Sequence, residues 1–104
     1  MIVIRLIDEN RDHLVELCRR YGVRRLDVFG SALRSDFDTD RSDLDFLVEF
    51  DNLTPDDAAD RFLGLMVDLE DLFHRRIDLV SYPAIRNPYF KQVVDNTRVA
   101  FYAA

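Results

Sequence analysis

Asp43 and Asp45 stand two residues apart where a polar stretch turns apolar, in SDLDFLVEF, and Asp78 lies in the middle of RRIDLVS. Leu44, Phe46, Val48 and Phe50 alternate with Asp45, Leu47 and Glu49, so the first segment reads as a strand, and residues two apart in a strand point to one face. The two Cα atoms are then about 6.6 Å apart, a span suited to the pair of metal ions, about 3.5–4 Å apart, of phosphoryl-transfer sites. Ile77 and Leu79 flank Asp78 with the opposite orientation, so a neighbouring strand can bring a third carboxylate to the same cluster. Three carboxylates about 5 Å apart repel by about 3 kcal/mol per pair at an effective dielectric near 20. Unless they protonate, they require a cation.

Gly30-Ser31 supplies what the other end of a nucleotide needs. A turn without a Cβ lets backbone N–H groups approach phosphate oxygens, and the serine hydroxyl adds a donor. Arg34 either touches phosphate or pairs with Asp36 or Asp38. Asp36, Asp38 and Asp40 have the opening spacing of an EF-hand loop, but Arg41 stands where that loop needs glycine and Leu47 where it needs a bidentate glutamate. These three acids therefore read as solvent-facing. A carboxylate pair at a strand start is ordinarily a solvated edge; the Gly-Ser turn before it and Asp78 after it favour a site.

The elements that must position these groups follow from periodicity. ENRDHLVELCRRYG places Leu14, Leu17, Cys18 and Tyr21 at helical spacing, with Asp8 or Asn10 as N-cap and Gly22 as the stop. RRLDVFG sets Leu26 and Val28 against Asp27 and Phe29 as a strand running into Gly30. Thr54, Pro55 and Asp57 start a helix that runs to about Phe73, with Phe62, Leu65, Met66, Leu69, Leu72 and Phe73 as its core stripe. RRIDLVS is a third strand, NPYFKQVVDN a short helix begun by Asn87 and Pro88, and TRVAFYA a fourth strand. The predicted order is helix, strand, strand, helix, strand, helix, strand. Arg75 and Arg76 suit a helix C-terminus. Tyr82, just after the third strand, is read as packing, with stacking on a base as the alternative, and Cys18 as core.

At 104 residues the chain has the size of one domain. Twenty acids against 14 bases, a net charge of −6, argue against stable binding to duplex nucleic acid, which needs a basic surface. A polyanionic substrate then needs bound metal. A single cysteine excludes an intrachain disulfide and a cysteine-based zinc site, and no apolar run reaches the roughly 20 residues of a membrane span. Cytoplasm is the expected compartment, with no membrane partner.

GSALRSDFDTDRSDLDFLVEF resembles the Gly-Ser…Asp-x-Asp signature of the DNA polymerase β-like nucleotidyltransferases, and specifically of their minimal MNT branch, the antitoxin partners of HEPN toxins. The similarity extends over CRRYGV, VFGS, SDLDFLV, RRIDLVS and NPYFKQVVDNTRVAFYA. It departs where eleven residues, and not nine or ten, separate Ser31 from Asp43, and where Ser35 replaces a glycine.

The resemblance implies an α+β fold, a small mixed β-sheet with helices packed against it, and one minimal nucleotidyltransferase domain over residues 1–104. It implies Asp43, Asp45 and Asp78 as catalytic residues binding Mg²⁺, two ions in all, with Asp78 helping to activate the attacking hydroxyl. Gly30, Ser31 and Arg34 would hold the triphosphate of ATP. Small-molecule transferases of this fold carry an additional helical domain for the acceptor, so a chain of this size takes its acceptor from another protein. The expected activity is transfer of AMP to a tyrosine of a HEPN toxin ribonuclease, within an oligomer with that toxin. A non-catalytic antitoxin that covers its toxin, and the catalytic subunit of a small-molecule transferase, remain alternatives at this point.

Overall fold

The computed structural model describes residues 2–30, 43–51 and 55–104. Ser31, Arg34, Asp36, Asp38, Asp40 and the proposed cap Thr54 lie outside the described residues.

The chain starts with two consecutive helices, α1 (Ile2–Glu9) and α2 (Arg11–Tyr21), where the periodicity predicts only the second. Eight residues are too few to hold a helix in water. What holds α1 is tertiary: Ile7 is fully buried and Leu6 packs beside it. Asn10 sits at the N-cap position of α2, but its side chain makes no capping bond there. Its amide instead donates to the Leu6 carbonyl at 3.0 Å and closes α1, while Asp8 pairs with Arg11. Gly22 ends α2 as predicted, at φ +66°, with its N–H donating back to the carbonyls of Cys18 and Arg19. Burial pushes the Cys18 thiol up to about 12, so it is packing and not a nucleophile.

Four strands follow in the predicted order: β1 (Val23–Phe29), β2 (Leu44–Phe50), β3 (Ile77–Ser81) and β4 (Val99–Ala103). Helix α3 (Pro55–Phe73) joins β2 to β3; a short 3₁₀ turn (Tyr82–Ala84) and α4 (Pro88–Thr97) lead to β4. The sheet order is β3-β2-β1-β4, with β1 antiparallel to both neighbours and β2 parallel to β3. A parallel pair needs a crossover, and α3 is that crossover. It buries Leu65, Leu69 and Phe73, the stripe read from the sequence.

One face of the sheet, bearing Leu26, Val28, Leu44, Phe46, Val48, Ile77 and Leu79, carries the main core with α1, α2 and α3. The other face carries a smaller core, in which Phe29 and Leu47 meet Val94 of α4, with Val80, Tyr82 and Ile85 alongside. Asn87 caps α4 as predicted, its side-chain oxygen accepting the N–H groups of Tyr89 and Phe90 at 2.9 and 3.2 Å. No helix among the described residues is long and apolar enough to cross a membrane.

Asp27 lies opposite Leu26 and Val28 in β1, as the alternation implies, and it is fully buried on the α4 face. Its carboxylate accepts from the guanidinium of Arg98, and from Arg25 at 3.0 Å; Arg98 also donates to Glu49 at 3.2 Å. The Arg98 guanidinium lies 4.4 Å from the centroid of the Tyr82 ring, and the Tyr82 hydroxyl donates to Asp95 at 2.7 Å. Tyr82 is thus a packing residue of this network.

Candidate active site

The carboxylates named from the sequence meet at one end of the sheet, on the α4 face. In the parallel ladder Asp45 is the direct partner of Asp78, which sets their Cα atoms about 4.8 Å apart with side chains on one face. Asp43 stands immediately before β2. The N–H of Leu44 donates to the Arg76 carbonyl at 3.1 Å, fastening the head of β2 to the residue before β3. Leu44 is fully buried, so the residues on either side of it are fixed from below. Asp45 is half-buried, whereas Asp43 and Asp78 are exposed.

Asp78 feels the charge of both other aspartates. The Asp78 carboxyl is raised above its ordinary range, first by desolvation and then by the charges of Asp45 and Asp43. A position that resists one more negative charge favours a cation. Among the described residues no three acidic, histidine or cysteine side chains are drawn together as a finished metal cage. The three aspartates are neighbours in charge, on adjoining strands, with hard oxygen donors of the kind Mg²⁺ takes.

Gly30 completes this end of the site. It follows β1 at φ +66°, a conformation L side chains rarely adopt, and a Cβ built there would lie 2.6 Å from Oδ2 of Asp45. Phe29, immediately before it, is paired with Asp45 across the β1–β2 ladder. Glycine therefore serves both the backbone turn and the carboxylate's room. Gly30→Ala is expected to lower unfolding free energy by about 1–2 kcal/mol, the cost of a left-handed alanine, and to push the Asp45 carboxylate aside. Urea denaturation in parallel with Mg·ATP titration checks both effects.

Beyond β3 the surface opens into a hollow of about 570 Å³, lined in part by Val80, Ala84, Ile85 and Phe90. Nothing in the sequence pattern marks it, because its walls come from α3, β3, the 3₁₀ turn, the connection after it and α4, and converge only through the fold. Arg75, expected at a helix C-terminus, donates to the Phe73 carbonyl at 3.5 Å.

A mixed four-stranded sheet with an Asp-x-Asp pair at the head of one strand and a third aspartate beside it on the next defines a nucleotidyltransferase. The nucleotidyltransferase domain family matches residues 11–100, and the chain belongs to it. A Methanocaldococcus jannaschii chain provisionally named protein adenylyltransferase MJ0128 is 40% identical over 85 residues, covering 82% of this chain and 83% of that one. Protein adenylyltransferase MntA of Thermococcus cleftensis is 37% identical over 82 residues, 79% of each chain. The fold is shared with a chain from the solved structure of a tri-AMPylated Shewanella oneidensis HEPN toxin in complex with MNT antitoxin. That match has a TM-score of 0.63 at 19% identity and covers 93% of this chain and 72% of the other.

Proposed function

We propose that this chain is a metal-dependent protein adenylyltransferase: a minimal nucleotidyltransferase domain that transfers AMP from ATP to a tyrosine hydroxyl of a partner HEPN-type toxin ribonuclease and so neutralises it in the cytoplasm. The observation that carries this reading is the register pairing of Asp45 with Asp78, with Asp43 just before β2 and its charge felt at Asp78. The names of the relatives and the AMPylated toxin in the complex of similar fold support the choice of acceptor.

Asp43, Asp45 and Asp78 are the residues that would hold Mg²⁺, which supplies charge neutralisation on the phosphates and a lowered pKa for the acceptor hydroxyl. The chain's own contribution is positioning. Gly30, with Ser31 and Arg34, cradles the triphosphate at the β1 end. Asp78 would orient the tyrosine hydroxyl and take its proton. The tyrosyl oxygen bonds to the α-phosphorus as the bond to the bridging oxygen breaks, and pyrophosphate leaves.

Asp78→Asn separates chemistry from coverage. It is expected to leave the complex with the toxin intact by gel filtration and to abolish label transfer from α-labelled ATP. Full protection of toxin-expressing cells by this variant would make coverage, and not modification, the mode of neutralisation. The same variant should be more stable than the parent. Because the folded Asp78 holds its proton more tightly than the unfolded chain does, its charge opposes folding at pH values above the ordinary carboxyl value of 3.8. That opposition grows as pH rises through the folded value. The gain at neutral pH is below about 1 kcal/mol, since Asp78 is exposed to water, and it vanishes below the ordinary value. Thermal melts across pH read it directly.

A further inference from the structure

We infer that Tyr89 is a modification site: without the toxin present, one copy of this chain transfers AMP to the Tyr89 hydroxyl of a second copy. The inference rests on the function proposed above and adds a further acceptor, on the enzyme itself.

A transferase whose acceptor is a tyrosine hydroxyl selects among the hydroxyls that can reach its site, and this chain carries four of its own. Three are engaged. Tyr21 donates to Asp68 at 2.5 Å and Tyr82 to Asp95 at 2.7 Å. In both, the hydrogen bond to a carboxylate raises the pKa of the hydroxyl and so opposes loss of its proton. Tyr102 is partly buried against the main core. Tyr89 differs from all three. It is 79% exposed, and among the described residues its hydroxyl has no hydrogen-bond partner.

The helix that carries Tyr89 turns it outward and keeps it there. Asn87 caps α4, Phe90 packs edge-on against Phe29 with ring centroids 5.9 Å apart, and Val94 is fully buried. Successive residues of a helix are about 100° apart, so with Phe90 against the sheet the Tyr89 ring is turned toward solvent. Because α4 is pinned at three points, its hydroxyl is presented to another molecule. Val93, one turn further on and also exposed, lies beside it as an apolar landing.

Charge favours the encounter with a second copy. The residues between Asp78 and Asp95 form the longest stretch of the chain without an acid, and they include Arg86 and Lys91 on either side of Tyr89 in sequence. Both bases are exposed. In a chain of net charge −6, such a segment approaches an end built of Asp43, Asp45 and Asp78 with attraction in place of like-charge repulsion. In the transfer the Tyr89 oxygen bonds to the α-phosphorus of ATP held by the second copy. The bond from that phosphorus to the bridging oxygen breaks, pyrophosphate leaves, and the hydroxyl proton passes to Asp78 of the second copy.

The test incubates the purified full chain with Mg·ATP labelled on the α-phosphate, without the toxin, and locates the label by tandem mass spectrometry. AMP is expected on Tyr89. Tyr89→Phe keeps the ring and removes the hydroxyl; it should lose the label while still transferring AMP to the toxin at the parent rate. Asp78→Asn should not label itself, but mixed with Tyr89→Phe it should become labelled on Tyr89, because one chain then supplies the site and the other the hydroxyl. Three results would overturn the inference: a parent chain that modifies the toxin and not itself, a label that persists in Tyr89→Phe, or a mixture that stays unlabelled while the parent labels itself. Label on Tyr89 with none on the toxin would instead overturn the proposed acceptor and leave this inference standing. A chain that labels neither would overturn both.

Discussion

Replacing Asp43 and Asp45 together by asparagine is expected to lower AMP transfer at least about a thousandfold, about 4 kcal/mol of barrier, without unfolding the chain. Asparagine keeps the shape of aspartate, and the buried residue between the pair, Leu44, is untouched, so the head of β2 retains its packing. What is lost is two anionic oxygen ligands, and a neutral amide is a weak substitute for a hard cation. The loss also relieves Asp78, whose carboxyl is raised partly by these two charges, so thermal stability should hold or increase. Calorimetry of Mg·ATP binding is the decisive measurement. Unchanged affinity in the double variant would remove these residues from the metal site.

Arg98→Ala is expected to be the most damaging single change to stability, costing about 3–5 kcal/mol, the usual penalty for stranding a buried charge. Asp27 is fully buried, and the Arg98 side chain is only 11% exposed between Asp27 and Glu49. Arg25 remains as a second partner of Asp27 but is itself 41% exposed, which places the cost toward the lower end. Joining Arg98→Met to Asp27→Leu should recover most of the loss, because no buried charge is then stranded: Glu49 keeps Arg24, and Arg25, which loses Asp27, is 41% exposed. Urea midpoints of the single and double variants separate a stranded charge from lost packing. A single variant within about 1 kcal/mol of the parent would show that the network contributes little net stability.

The parts of the fold that were legible in the sequence are those governed by local rules. Gly22, Asn87 and Pro88 mark helix ends because capping depends on neighbours a few residues away, and the α3 stripe follows from a 3.6-residue period. That Asp45 falls in a strand was legible from the alternation that follows it, whereas Asp43 lies just before that strand. That Asp45 and Asp78 are direct partners is a matter of register between strands separated by a helix, which alternation does not specify. Helix α1 escaped for the same kind of reason: IVIRLIDE is rich in β-branched residues, and its helicity depends on where Ile7 packs. Alternation set Asp27 opposite Leu26 and Val28, but its burial was not legible, since its partner Arg98 is 71 residues away. The hollow beyond β3 is the extreme case, assembled from α3, β3, the 3₁₀ turn and α4 with no shared sequence pattern.

Because β3 is an edge of the described sheet, evolution acts unevenly across this surface. Strand β2 sits between two strands and over the main core, where exchange of residues is heavily constrained by packing. The rim beyond β3, formed by the 3₁₀ turn and the start of α4, can be rewritten without disturbing that strand. A lineage with this layout can change what its rim meets, or recruit a different neighbour chain, while inheriting the centre of the sheet unchanged.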